Sequence, residues 1–173
     1  MARRSTKNSN RAGSKQIMRT STFTKKDTIK KAAVNCNIAK VHAGDRGFMQ
    51  MLFKDIADGS DVCKAISIVK TPDGTIAGSA VLVVGGTWDF YNQKHPDSYK
   101  RIRYNMAADF TPEKSFEVGV YVLRKYRRMG IGTKLIKAIL KTKVDTEDVY
   151  YCSAGTCGYA DAFYSNYLPS EEA

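Results

Sequence analysis

The segment from Ser115 to Leu140 most constrains what this chain can fold into, because its hydrophobic period changes at the midpoint. In the first half, apolar residues alternate with other residues, the two-residue period of a β-strand: Phe116, Val118, Val120 and Val122. In the second half, the apolar residues recur at helical spacing: Ile131, Leu135, Ile136, Ile139 and Leu140. The segment therefore predicts a strand, a short connection and a helix.

The connection between this strand and this helix carries Arg127 and Arg128, followed by Gly130 and Gly132. A helix N-terminus presents backbone N–H groups that have no partner within the helix, together with the positive end of the helix dipole. Glycine removes the side chains that would hold an anion away from those groups. The junction predicts a phosphate or pyrophosphate site, and the alternative interpretation is a basic surface turn that glycines cap.

This junction resembles the acetyl-CoA-binding motif of the GNAT superfamily of N-acetyltransferases. The family motif is a strand ending in an apolar-aromatic-Val triplet, a short loop, and Gln/Arg-x-x-Gly-x-Gly/Ala at the start of a helix. Here the parts are Val120-Tyr121-Val122, then Leu123 to Tyr126, then Arg127-Arg128-Met129-Gly130-Ile131-Gly132. A Rossmann site fits less well because Leu135 occupies the place of the third glycine, and a Walker loop is excluded because its motif does not occur.

The resemblance implies that acetyl-CoA is the cosubstrate. The backbone of the strand triplet would align the pantetheine arm and polarise the thioester carbonyl, while N–H groups of the loop would hold the pyrophosphate. The implied cofactor-binding residues are Val120, Tyr121, Val122, Arg127, Arg128, Met129, Gly130, Ile131, Gly132 and Thr133.

The resemblance continues beyond a further predicted strand, Asp148 to Ser153. Family members follow that strand with a helix of the form N-x-x-A-x-x-F-Y-x-x-x-G-F, which Ala160, Phe163 and Tyr164 match. The family implies that Tyr164 is a general acid that protonates the departing CoA thiolate. Glu117 on the central strand is the candidate general base for the acceptor amine, and the alternative is a surface glutamate without a catalytic role.

The chain departs from the family pattern near its end. Cys157 stands where the family has asparagine, and Leu168-Pro169 stands where Gly-Phe begins a sixth strand. Because the sequence then ends at Ala173, we expect a GNAT-like fold that lacks its last two strands and exposes one sheet edge. A homodimer or a larger assembly is the partner expected to cover that edge.

The rest of the chain supplies the other elements of an α/β fold with a mixed sheet. Strands are predicted over Gln16–Phe23, Val62–Val69 and Ile76–Val84. A turn at Thr71-Pro72-Asp73-Gly74 joins the last two.

Two helices are predicted between the first and second of these strands. The first has its N-cap at Asp27 and ends at Gly44, with an apolar stripe of Ile29, Ala33, Val34, Ile38 and Val41. The second is predicted over Arg46–Ala57, with a buried face of Phe48, Met49, Leu52, Phe53 and Ile56.

The formal net charge of +11 lies almost entirely at the N-terminus, since residues 1–31 hold ten Lys or Arg and one acid. Residues 1–15 contain almost nothing apolar, so we expect a basic arm, disordered in isolation, before a GNAT-like domain over residues 16–173. Two interpretations of the arm are open. It is a solvated tail, or it binds nucleic acid through Arg3, Arg4, Lys7, Arg11 and Lys15.

Cysteine usage and hydropathy bear on the compartment. Four scattered cysteines and two histidines predict neither a metal site nor a disulfide framework. No apolar run is long enough to span a bilayer, and no secretory signal is present. We therefore expect reduced thiols and a cytoplasmic protein, located in the host cytoplasm or in the virion if a phage encodes it.

Three functions are compatible with these features. An N-acetyltransferase that acts on an amine of a protein or small molecule is favoured by the glycine loop and Tyr164. A GNAT-fold scaffold or assembly protein without catalysis, such as a virion component, is favoured by the missing strands and Cys157. A nucleic-acid-binding protein is favoured by the basic arm.

The insertion Thr87–Lys114, which mixes aromatic and cationic residues, fits a substrate groove, a base-stacking surface or a cover for a sheet edge.

Overall fold

The computed structural model describes residues 17–37, 46–87, 90–91, 115–142, 148–151 and 158–168. In chain order the elements are β1 (Arg19–Phe23), α1 (Lys26–Asn35), α2 (Arg46–Ala57), β2 (Cys63–Lys70), β3 (Ile76–Val84), β4 (Ser115–Val122), a 3₁₀ turn (Arg124–Tyr126), α3 (Ile131–Leu140), β5 (Asp148–Tyr151) and α4 (Gly158–Ser165). Several predicted features lie outside the described residues: the arm over residues 1–15, Ile38, Val41 and Gly44 of the first helix, most of the insertion over residues 87–114, Cys152 and Cys157.

The described strands form one five-stranded sheet in the order β1-β2-β3-β4-β5. Strands β1 to β4 are antiparallel to their neighbours, and β4 is parallel to β5. The connection from β4 to β5 contains α3, as expected because parallel neighbours need a crossover. This mixed sheet with its helices confirms the predicted α/β fold.

The central prediction of a strand followed by a helix is confirmed by β4 and α3. Helix α2 and strand β3 also have the predicted bounds, and β2 begins one residue later than predicted. The turn between β2 and β3 is confirmed as well. Gly74 has a φ of +85°, and its N–H donates to the carbonyl oxygen of Thr71 at 2.9 Å.

Three predictions about α1 are wrong: its N-cap, its end at Gly44 and the burial of Val34. Asp27 is not the N-cap: Lys25 has that position, and Asp27 lies in the first turn, where its carboxylate complements the helix dipole. Val34 is 64% exposed. The helix ends at Asn35, and its buried residues are Ile29, Ala32, Ala33 and Cys36. These follow one helical stripe, and Val34 lies five residues after Ile29, away from that stripe.

The sheet has a hydrophobic core on each face. The first core lies against α1 and α2 and includes Met49, Leu52, Phe53, Ile56, Ile66, Val81 and Val83. The second core lies against α3 and α4 and includes Ala80, Leu82, Val118, Leu135, Ile136 and Ile139. Because helices cover both faces, β3 is buried along nearly its whole length. No helix in the described ranges is long and apolar enough to cross a membrane.

Gly78 on β3 allows three elements to approach closely, which leads to the first prediction. A Cβ at this position would lie 2.7 Å from the backbone oxygen of Tyr121 and 3.1 Å from Cδ1 of Leu135. We expect Gly78→Ala to lower the free energy of unfolding by about 1–3 kcal/mol, measured by urea denaturation. An open strand position would instead gain stability from this change, so an unaltered or more stable variant would contradict the close approach.

The buried thiol of Cys36 predicts a pH dependence of stability. Burial raises the pKa of Cys36 from its ordinary 9.0 to about 11. Between these values the unfolded chain releases a proton that the folded chain retains, so unfolding becomes more favourable as pH rises. From pH 8 to pH 10 this group lowers the free energy of unfolding by about 1 kcal/mol.

The Cys36→Ala variant isolates this effect, because all other titrating groups are shared with the wild type. Urea denaturation at pH 8 and pH 10 should show a smaller fall in stability for the variant. An equal fall in both proteins would show that Cys36 titrates in the folded state as it does in the unfolded chain.

Candidate functional site

Strand β4 has two halves with different neighbours. Its first half pairs with β5, from Ser115 opposite Asp148 to Val118 opposite Tyr151. On its other side, β4 pairs with β3 along its whole length, as far as Val122 opposite Gly78. In the described part of the chain, no strand pairs with the β5 side of β4 beyond Val118. Among the described strands, the second half of β4 therefore has no neighbour on this side, and the term open edge is used for it below in that sense.

Tyr164 of α4 reaches this open edge. The N–H of Val120 donates to the Tyr164 hydroxyl at 2.8 Å, and the hydroxyl donates to the Val120 carbonyl oxygen at 3.3 Å. The Tyr164 ring stacks on Tyr151 with centroids 4.9 Å apart, and Phe163 meets it edge-on at 5.3 Å. Only 7% of Tyr164 is exposed. The hydroxyl is thus held on the backbone of a residue that the family resemblance assigns to the cosubstrate.

The loop between β4 and α3 contains two residues with left-handed backbone. Arg128 has a φ of 65°, and Gly130, the N-cap of α3, has a φ of 76°. None of the N–H groups from Arg128 to Thr133 donates to the backbone carbonyl of a described residue; the N–H of Lys134 is the first that does, to Gly130 at 3.1 Å. Left-handed residues in such a loop turn N–H groups toward one side and create a concavity suited to an anion. The positive end of the α3 dipole adds to this preference.

Arg127 has a structural contact that the sequence did not predict. Its Nε donates to the carbonyl oxygen of Val122 at 3.1 Å, so the side chain ties the start of the loop to the end of β4. Arg128 and Met129 are exposed beside it. The guanidinium of Arg128 therefore adds positive charge next to the loop N–H groups.

Gly132 lies where β4, α3 and α4 meet. A Cβ at Gly132 would lie 3.4 Å from Cζ of Phe163 and 3.9 Å from Cγ2 of Val122. On the next turn of the chain after α4, the hydroxyl of Tyr167 lies 3.4 Å from Oγ1 of Thr133. The loop that precedes α3 is therefore in contact with the helix that carries Tyr164.

Glu117 lies on the opposite face of β4 from Phe116 and Val118. It is fully buried, and its Oε1 accepts a hydrogen bond from the N–H of Gly86 at 2.9 Å. The interpretation of Glu117 as a surface glutamate is therefore wrong. The two-residue period of β4 directs its side chain toward the face of the sheet that α1 and α2 cover. Glu117 is three residues before Val120, about 10 Å along the strand.

The segment after β3 that supplies this N–H is anchored to α2. Gly86 has a φ of +78°. The hydroxyl of Tyr91 donates to Oδ2 of Asp55 in α2, and burial, followed by the nearby Asp55 carboxylate, raises the pKa of Tyr91. The sequence offered one signal for this feature, the Gly85-Gly86 pair directly after an apolar strand. It did not identify Gly86 as the partner of Glu117.

The structure thus groups the predicted site residues in two places. The triplet Val120-Tyr121-Val122, the loop over residues 127–133 and Tyr164 come together at the open end of β4. Glu117 lies further back on the other face of the same strand. Among the described residues, no cluster of three His, Cys, Asp or Glu side chains has an arrangement that could hold a metal ion.

Comparisons with known proteins bear on the family and the fold. A family model described as the acetyltransferase (GNAT) family matches residues 52–157. No curated protein matches the chain.

Solved structures of acetyltransferases share the fold. Aminoglycoside N-acetyltransferase AAC(6')-Iy in complex with CoA is 15% identical, with 91% of each chain covered and a TM-score of 0.53. A GNAT family acetyltransferase from Streptococcus pneumoniae TIGR4 is 16% identical, with 87% of this chain and 85% of that chain covered and a TM-score of 0.52. A structure described as histone acetyltransferase HPA2 and related acetyltransferase, from Corynebacterium glutamicum, is 14% identical, with 85% and 82% covered and a TM-score of 0.52. At these identities the likeness establishes the fold alone.

The hydrogen bond between Glu117 and Gly86 leads to a prediction about stability. Glu117→Gln keeps a side-chain oxygen that accepts from the Gly86 N–H, so we expect it to retain the stability of the wild type within about 1 kcal/mol. Glu117→Ala removes the acceptor and should lower the free energy of unfolding by about 1–3 kcal/mol in urea denaturation. Equal stability of the two variants would contradict a role for this bond in the fold.

Proposed function

The chain belongs to the acetyltransferase (GNAT) family, and on that premise we propose that it transfers an acetyl group from acetyl-CoA to an amine of a protein or small molecule. At the level of the family, the reaction is acyl-CoA-dependent acetyl transfer to an amine acceptor. The observation that carries the proposal is the edge of β4 that no described strand pairs with, beside a loop whose N–H groups donate to no backbone carbonyl of the described residues.

This arrangement fits the chemical parts of acetyl-CoA. The pyrophosphate is an anion, and the N–H groups from Arg128 to Thr133 together with the α3 dipole favour an anion. The pantetheine arm contains amides that can pair with the backbone of Val122 at this edge, and the Val120 N–H can then polarise the thioester carbonyl. The structure of AAC(6')-Iy with CoA, which shares the fold, supports the same choice of ligand.

When bound, acetyl-CoA supplies a thioester whose carbonyl carbon can accept an amine. As the new N–C bond forms and the C–S bond breaks, one proton leaves the nitrogen and one arrives at the sulfur. We assign the first proton to the Glu117 carboxylate, which acts through water because Glu117 lies on the other face of β4 from Val120. We assign the second to the hydroxyl of Tyr164, which lies at the open edge.

Titration calorimetry of acetyl-CoA tests the cosubstrate site with a matched pair of variants. Gly130→Glu places bulk and negative charge in the loop before α3. Gly74→Glu makes the same change in the β2–β3 turn, and at both glycines φ is positive and a Cβ meets no atom within 4 Å. We expect wild type and Gly74→Glu to bind acetyl-CoA alike and Gly130→Glu to lose at least tenfold in affinity, because a carboxylate repels the pyrophosphate.

The catalytic half of the proposal is tested with the same proteins and a set of primary amines: a lysine-containing peptide, a peptide with a free N-terminus, and spermidine. Release of CoA thiol that requires an amine, and that Gly130→Glu lacks, supports acetyl transfer. A folded wild-type protein that binds no acetyl-CoA would overturn the proposal. Equal binding by both glutamate variants would remove the loop from the site.

A further inference from the structure

The backbone edge at Val120 is occupied by a side chain of the protein itself. One hydroxyl, that of Tyr164, accepts from the Val120 N–H and donates to the Val120 carbonyl oxygen. It therefore satisfies both polar groups of a partly buried residue at the end of the pairing between β4 and β5. Without it, this N–H would be left without a protein acceptor next to the second core, at a cost in free energy.

We infer that Tyr164 determines how the protein distinguishes acetyl-CoA from CoA. Its hydroxyl accepts the hydrogen bond from the Val120 N–H, and the thioester carbonyl must accept the same hydrogen bond in order to be polarised. This inference rests on the proposed function, in which the β4 backbone polarises that carbonyl. An acetyl group that accepts from Val120 N–H must replace the Tyr164 hydroxyl as the acceptor. CoA has no acetyl carbonyl, so the hydroxyl remains on Val120 when CoA binds.

The exchange couples the arrival of the acetyl group to the release of a proton donor. While Tyr164 is hydrogen-bonded to Val120, its hydroxyl proton is donated to the Val120 carbonyl oxygen. Once the acetyl carbonyl takes the N–H, the hydroxyl becomes available to donate to the sulfur. After the transfer, the sulfur has the proton of Tyr164, and the phenolate takes up, through water, the proton that left the amine. The restored hydroxyl then returns to Val120, which no longer has a thioester carbonyl to bind.

The energetic consequence differs for the two ligands. Binding of acetyl-CoA is weakened by the free energy needed to break the hydrogen bonds between Tyr164 and Val120. Binding of CoA is not weakened in this way, because it leaves those hydrogen bonds intact. A protein without the hydroxyl should therefore bind acetyl-CoA more tightly and CoA as before. This outcome is the opposite of the one expected if Tyr164 simply contributed a favourable contact to either ligand.

Tyr164→Phe removes the hydroxyl and keeps the ring. The contacts of the ring with Tyr151 and Phe163 do not involve the hydroxyl, so the packing of α4 is retained. Tyr167→Phe is the matched control: it removes a hydroxyl from the same end of the chain, one that lies near Thr133 and not near Val120. Any effect of Tyr167→Phe acts through the loop and is shared by both ligands.

Titration calorimetry of acetyl-CoA and CoA against wild type, Tyr164→Phe and Tyr167→Phe gives the test. We expect the Kd of acetyl-CoA to fall about 5- to 10-fold in Tyr164→Phe, the net worth of one hydrogen bond, while the Kd of CoA changes less than twofold. In Tyr167→Phe, the ratio of the two Kd values should equal that of the wild type. Loss of hydrogen-exchange protection at the Val120 amide in ligand-free Tyr164→Phe would report the broken contact directly.

The outcomes separate the two proposals. If all three proteins bind both ligands and Tyr164→Phe leaves the ratio of Kd values unchanged or weakens acetyl-CoA, the inference about Tyr164 is wrong and the proposed function is not affected. If none of the folded proteins binds either ligand, the proposed function fails and the inference fails with it.

Discussion

The rest of the site depends on which backbone groups of β4 pair with β3 and which pair with β5. A strand inside a sheet must satisfy N–H and C=O groups on both sides, and β4 does so toward β3 along its whole length. Toward β5 the pairing ends at Val118. The groups beyond that point need another partner, and the Tyr164 hydroxyl provides it at Val120. The edge that the described strands leave unpaired is where we propose that the amide groups of a ligand bind.

The two-residue period of β4 then assigns different chemistry to its two faces. Val118, Val120 and Val122 face α3 and α4, so the contacts with Tyr164 and Gly132 form on that side. Glu117 faces the other way and is held by Gly86, in a segment that Tyr91 anchors to α2. A register shift of one residue would exchange these faces, and the helices packed on both sides of the sheet prevent such a shift.

The sequence predicted the elements with a strong local signal. Helix α2 and strand β3 have the predicted bounds because a clear hydrophobic period is limited by turn residues, Gly59 in one case and Pro72 to Gly74 in the other. The prediction for α1 was wrong where it rested on a local cap preference and an assumed length, since tertiary packing decides which of Ala32 and Val34 is buried. The sequence did not predict the hydrogen bonds that define the candidate site. Tyr164 and Val120 are 44 residues apart, Glu117 and Gly86 are 31 apart, and no local pattern links residues at such separations.

The two parts of the proposed cosubstrate site are linked through α4. Adjacent residues of this helix contact both parts, since Phe163 lies against Gly132 of the loop and Tyr164 is bonded to Val120 of the strand. A side chain larger than that of alanine at position 132 would push against the Phe163 ring, and the Tyr164 hydroxyl would then move from its place on the strand. The small residue at the start of α3 therefore has a structural role beside the anion access that we propose for it. It also sets the distance between α3 and α4, and with it the position of the Tyr164 hydroxyl on the Val120 backbone.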